Sequence, residues 1–185
     1  MNGHTHRAFA AVTVLSLGHA TTYPAAAVLT ATTAALVTAG GALSPDADQY
    51  RLWKAADAVL PDEAIGGPLG HRQLTHWWGL PAVAAFLAWA PVSVAPLWVQ
   101  VLTVGALLGW CSHLAGDFLV GAGGYGRGRG IPLAPWGWHV GVGIPNESWL
   151  ARVVGVLLVP AALWLAASLV LNVPVNPATA LEALR

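Results

Sequence analysis

At 185 residues the chain has the length of one domain, and residues 1–185 read as a single unit. Hydrophobic residues make up 56% and charged residues 9%, with a mean hydropathy of +0.62, against roughly 25% charged in soluble domains. So few charges cannot cover a soluble surface, which points to an integral membrane protein. The absence of any Lys/Arg run excludes a nucleic-acid partner, and a lone cysteine, Cys111, excludes an internal disulfide or a thiolate zinc cluster.

The first apolar segment covers about residues 8–22 and is short for a crossing, which needs about 20 residues. It follows HTHR, where His6 lies nearer the helix than His4. The start has a faint signal-peptide character, but cleavage near Ala20 would discard His6, and retention is expected. Pro24 opens a second segment, charge-free to Leu43 and rich in Ala, Thr and Val. The first polar region, 44–70, begins with SPDAD, so Asp46 and Asp48 sit just past a helix end. Such an i, i+2 carboxylate pair can ligate a metal ion and a second ion or a water. Alternatively it merely ends the helix, since Pro and Asp are turn residues.

GHRQLTH then brings His71 and His76 close around Arg72 and Thr75. Their spacing does not suit one helical face, so His71 is expected to precede the third segment and His76 to open it. Arg72 suits an anionic group such as a phosphate or carboxylate; the bland alternative is a set of interfacial polar residues without a ligand. The third segment covers about 76–90, a turn follows at 91–96, and 97–119 is the cleanest span. Within that span HLAGD places His113 and Asp117 four apart, on one helical face. Ionisable residues inside a span are functional candidates by default. Asp117 is either a ligand or the carboxylate orienting an imidazole, the alternative being a His–Asp pair that stabilises the bundle. A Gly- and Pro-rich stretch from Gly121 is too broken for helix and reads as a flexible loop or site lid. Segment five covers about 149–171. His19, His139 and Trp164 read as structural and Cys111 as a small buried residue. Trp77, Trp78, Trp98, Trp110 and Trp149 read as an interfacial belt. Gly105, Ala106 and Gly109 can pack helices within or between chains, leaving the oligomeric state open.

The expected fold is an all-α integral membrane bundle of about five transmembrane helices: two helical hairpins plus a C-terminal helix. If each hairpin crosses and returns, His6, Asp46, Asp48, His71, His76, His113 and Asp117 meet at one membrane face. Imidazoles and carboxylates gathered there are the donor set of a divalent metal site. Arg7, Arg51, Lys54, Arg72, Arg127, Arg129 and Arg152 share that side and only Arg185 lies opposite, so the positive-inside rule makes it cytoplasmic.

THR near the N-terminus, PDAD, GHRQLTH, SHLAGD and the later GIPLAPWGW resemble, in order and spacing, the YdjM-like (LexA-regulated) inner-membrane metal-dependent hydrolases of bacteria. The likeness spans about residues 4–140. Gln49 and Gln73 depart from it, standing where the family pattern has His and Gly. The resemblance implies metal ligation by His6, Asp46, Asp48, His71, His76, His113 and Asp117. The expected function is a membrane-bound hydrolase using one or two divalent ions, plausibly zinc, on a lipid-like or phosphoester substrate at the membrane surface. Asp48 or Asp117 would serve as general base and Arg72 would hold the substrate anion. A non-enzymatic metal-binding or transport protein is the alternative, but the spans carry little polarity beyond the motif face for an ion to follow.

Overall fold

Proline and glycine set the helix limits. In the computed structural model, which describes residues 3–41, 43–46, 74–120, 130–132, 134, 139–145 and 148–172, Pro24 and Pro96 stand immediately before helix starts. The described residues hold five α-helices: α1 (Gly3–His19), α2 (Ala25–Ala39), α3 (Gly79–Ser93), α4 (Leu97–Leu119) and α5 (Trp149–Leu171). A single 3₁₀ turn, Leu74–His76, precedes α3. Two short strands, β1 (Ile131–Pro132) and β2 (His139–Val140), pair antiparallel after α4. The fold is thus helical, with α4 and α5 long and apolar enough to cross a membrane. Each has 23 residues, or about 34 Å of helix, against about 30 Å of hydrocarbon.

Several boundaries differ from the sequence expectation, α1 and α2 also ending early, at His19 and Ala39. α1 starts at Gly3 rather than near residue 8, because nothing in HTHR breaks a helix, and His6 therefore lies within it. His6, Ala10 and Val14 form one buried stripe at helical spacing. α3 starts after His76, which stays in the separate 3₁₀ turn, and it runs through Pro91 to Ser93. Pro91 falls in the last helical turn, where it removes a single backbone donor, and the Ser93 hydroxyl bonds the Ala90 carbonyl at 2.9 Å.

Helix directions follow from the contacts. α1 and α2 are antiparallel, since the backbone of Gly3 meets Gly40 and Gly18 meets Val28. α2 and α4 run parallel, Ala31 and Ala35 lying against Gly105 and Gly109. α1 and α5 are also parallel, Thr5 facing Gly155 while His19 Nε2 lies 2.9 Å from the Leu165 carbonyl and 3.0 Å from Ser168 Oγ. His19 is thus a structural tie, as expected. Consequently the start of α1, the end of α2, the turn before α3, the end of α4 and the start of α5 gather at one end of the bundle.

Threonines enter these apolar helices by returning their hydroxyls to the backbone. Thr30, Thr32 and Thr33 bond the carbonyls of Ala26, Val28 and Leu29 at 2.8, 2.8 and 2.9 Å. Thr38 reaches across to the Ala106 carbonyl at 2.8 Å and ties α2 to α4. On α4 one stripe is buried: Gly105, Gly109, Ser112, His113, Gly116 and Asp117. Cys111 lies about 200° from both Gly109 and His113, and it is exposed rather than buried. Trp164 is 39% exposed. Trp110 lies well inside α4 instead of at its end, and its Nε1 donates to the Thr75 carbonyl at 3.2 Å.

The α2–α4 contact is close because Gly105 and Gly109 lack Cβ atoms. A Cβ on Gly109 would run into Thr38 Oγ1 and the Ala35 carbonyl, and the carbonyl cannot yield without moving a helix. Gly109→Val is expected to destabilise the fold by about 1–3 kcal/mol, read as a lower thermal unfolding midpoint in detergent. Gly3→Ala, whose Cβ meets nothing within 4 Å, is expected to leave the midpoint unchanged.

Candidate metal centre

Five of the candidate side chains come together at the gathered helix ends: His6 from α1, Asp46 from the turn after α2, His76 from the 3₁₀ turn, and His113 and Asp117 from α4. Asp48, His71 and Arg72, like Gln49 and Gln73, lie outside the described residues. Local sequence explains each placement. Gly40 and Gly41 end α2, and the Ser44 hydroxyl closes the following turn on the Gly41 carbonyl at 2.7 Å. That turn aims Asp46 at His76, so the described part of SPDAD delivers a donor, while Gly40 and Gly41 end the helix. Helical spacing puts His113 and Asp117 on the same face of α4, as HLAGD implies.

One donor atom from each of Asp46, His76, His113 and Asp117 lies within 4.8 Å of the others. His76 Nε2 is 3.1 Å from Asp46 Oδ1 and 3.4 Å from Asp117 Oδ2. His113 Nε2 is 3.4 Å from Asp117 Oδ2 and 3.7 Å from Asp46 Oδ2. Four ligands at zinc bond lengths of about 2.1 Å would stand about 3.4 Å apart at tetrahedral corners, and these spacings bracket that value. His6, His76, His113 and Asp117 are at most 1% exposed, whereas Asp46 is 22% exposed and forms the open side.

The tautomer of His113 is decisive for what the cluster can hold. Its Nδ1 lies 2.8 Å from the Ala39 carbonyl, which can only accept, so Nδ1 carries the proton. Ala39 is the last residue of α2, and its carbonyl is one that no further helical turn satisfies. Nε2 is left facing two carboxylates, and it makes no aligned hydrogen bond among the described residues. A neutral ring there sets a lone pair against anionic oxygens. A second ring proton would point at no aligned acceptor. A cation between the groups resolves both difficulties, and nitrogen plus carboxylate donors suit zinc or a similar first-row ion. The residues present therefore fit a divalent metal.

Outside the helices, charge is arranged in the same sense. Burial pushes the Asp46 carboxyl up, but the hydrogen bond from His76 and the neighbouring imidazoles outweigh it and hold the group at about 2. Burial pushes His76 down, yet hydrogen bonds to Asp117 and Asp46 prevail and raise it above its ordinary value. His76 Nδ1 pairs with the Thr75 hydroxyl at 3.1 Å. Thr75 in turn is pinned by Trp110, so an outer layer orients the donors. Reading the sequence missed Ala39 and Trp110. A backbone carbonyl has no side-chain signature, and Trp110 resembled a belt residue.

The Gly-rich stretch touches this end through its described part. Val142 and Ile144 donate backbone N–H groups to the Phe118 and Leu119 carbonyls at 2.7 and 3.1 Å, capping α4 just beyond Asp117. Gly130, at φ +91°, takes a conformation that favours glycine, and its close approach to Val140 and Gly141 leaves no room for a Cβ.

The family model described as YdjM inner membrane protein matches residues 1–179. The chain belongs to the YdjM inner membrane protein family. With two helices able to cross a bilayer, this family membership makes it a protein of the inner membrane. The family is the one its ordered motifs resemble. No curated protein and no solved structure matches the chain.

Metal affinity is expected to fall as the pH drops below the raised value of His76, because the ion must displace the proton that Asp46 and Asp117 stabilise there. Asp46, at about 2, stays ionised throughout that window and adds nothing to the slope. Zinc titration of the metal-stripped protein should show on the order of a tenfold loss per pH unit below that point for the one displaced proton.

Proposed function

We propose that this protein is a metal-dependent hydrolase working at the cytoplasmic surface of the inner membrane, on a lipid-like or phosphoester substrate. The observation that carries the reading is the largely buried group of Asp46, His76, His113 and Asp117, with one donor atom from each within 4.8 Å of the others. Asp46, His76, His113 and Asp117 would hold the divalent ion, for which zinc is the first choice. When bound, such an ion polarises a scissile group and acidifies water. The remaining work falls to the protein. Asp117, buried among three imidazoles, is suited to ligation. Asp48 or Asp117 would accept the proton of an attacking water. Arg72 would hold the substrate anion.

Topology supports a membrane-surface site. If all five helices cross, the turns at 22–24 and 94–96 lie on the far side and the cluster lies at headgroup depth, within reach of an amphiphile. Arg7 and Arg152 stand at the cluster end, in keeping with a cytoplasmic face. The short α1, α2 and α3, of 17, 15 and 15 residues, would cross with local thinning of the bilayer. A transport role is less well supported. Between the cluster and the far end the described interior is mostly apolar, with Ala10, Val14, Ala35 and Leu15, and the buried Thr32 and Ser168 hydroxyls are given to backbone carbonyls. An apolar cleft of about 420 Å³ beside Val28, Ala31 and Val104 continues it. Ions require polar groups along their path.

The deciding experiment is elemental analysis of the detergent-purified full-length protein, followed by hydrolysis of a phosphoester panel by the loaded protein. Bound zinc in wild type, with His76→Ala and Asp117→Asn each reducing affinity and turnover on the order of 100-fold or more, is the expected result. Bound metal with no turnover on any phosphoester would favour a non-enzymatic metal-binding role. Topology has its own check. In a Cys111→Ser background, Thr22→Cys is expected to react with an impermeant thiol reagent from the periplasmic side of intact cells. Labelling only after the cells are opened would reverse the orientation.

A further inference from the structure

We propose that the centre takes two divalent cations bridged by Asp117: the first on Asp46, His76, His113 and Asp117 Oδ2, the second on His6 and Asp117 Oδ1. This builds on the metal-centre reading above and adds a second site to it.

The observation behind it is His6. It stands outside the group of four whose donor atoms lie within 4.8 Å of one another. Yet it is completely buried, and neither of its ring nitrogens makes a hydrogen bond among the described residues. A buried imidazole without a partner loses its water without recompense. Its Nε2 nevertheless points to a particular place, lying 3.3 Å from Asp117 Oδ1 without the alignment of a hydrogen bond. That is the relation of two ligands sharing an ion rather than of a donor and its acceptor.

The second observation is the stack. His6 and His113 lie face to face with ring centroids 3.8 Å apart and planes 15° from parallel. Their Nε2 atoms therefore meet the two oxygens of one carboxylate, His6 at Oδ1 (3.3 Å) and His113 at Oδ2 (3.4 Å). A carboxylate that gives one oxygen to each of two parallel imidazoles is disposed to bridge. The spacing of the rings also agrees with the separation of about 3.5–4 Å between ions in two-metal hydrolytic sites. With only two protein donors, the second ion is the more weakly held and the more open to water or substrate.

The test is manganese titration of the full-length, metal-stripped protein in detergent, followed by electron paramagnetic resonance and elemental analysis. The first equivalent is expected to give the signal of an isolated ion. The second should bind more weakly and convert that signal to a spin-coupled pair. His6→Phe, which keeps a ring on His113 but removes both nitrogens, should retain the first ion and lose both the second ion and the coupling. One ion per chain in wild type, two uncoupled ions, or a coupled pair surviving in His6→Phe would each overturn the proposal. If wild type binds no ion at all, the metal-centre reading fails with it, so the two failures are told apart without relying on the variant.

Discussion

The contact on which the rest depends is the seating of α2 against α4 at glycine. Gly105 and Gly109 bring the helix backbones together at Ala31 and Ala35, and Thr38 bonds the Ala106 carbonyl across the seam. Because the helices are parallel, this seam ends with the last residue of α2 beside the last turns of α4. There the Ala39 carbonyl meets His113 Nδ1 at 2.8 Å. Packing thereby fixes the tautomer of a buried imidazole, and the tautomer fixes where its lone pair points. In a bilayer, where hydrophobic burial contributes little between helices, close backbone approach and interhelical hydrogen bonds are what remain to hold such a geometry.

The cluster is also an answer to an electrostatic problem. Asp46 and Asp117 bring two carboxylates to the end of an apolar bundle, where unpaired charge is strongly disfavoured. Three imidazoles surround Asp117, but the His113 tautomer turns one of them into an acceptor. The set is thus short of positive charge and rich in donor atoms, which is the condition a divalent ion satisfies. Trp110 and Thr75 behind His76, and the backbone of the loop after α4 on Phe118 and Leu119, hold the same arrangement from outside.

Much of this was legible in the sequence, for reasons that can be named. Charge-free runs bounded by Pro24 and Pro96 announced helices, and ionisable residues at their ends stood out against that background. The pairing of tight turns implied which ends would meet, and His6, Asp46, His76, His113 and Asp117 do meet. What was hidden was phase and backbone. Hydropathy marks where apolar residues begin, not where helical dihedrals do, so it starts the first segment after His6 whereas α1 begins before it. Pro91 looked like a turn residue because proline lacks the backbone donor a helix uses, yet the helix runs through it to Ser93. Trp110 looked interfacial because composition gives no sign that an indole inside a span can find a carbonyl.

The helical phase of His6 has a consequence for the whole site. Were His6 on a flexible segment ahead of α1, ordering it would cost conformational entropy at the moment of ligation. On the stripe with Ala10 and Val14 its position is settled by the same packing that seats α1 against α2. Gly40 contributes by letting the end of α2 approach the Gly3 carbonyl, where a Cβ would crowd it. Helix packing therefore seats the N-terminal imidazole beside the one from α4, where the two rings stack.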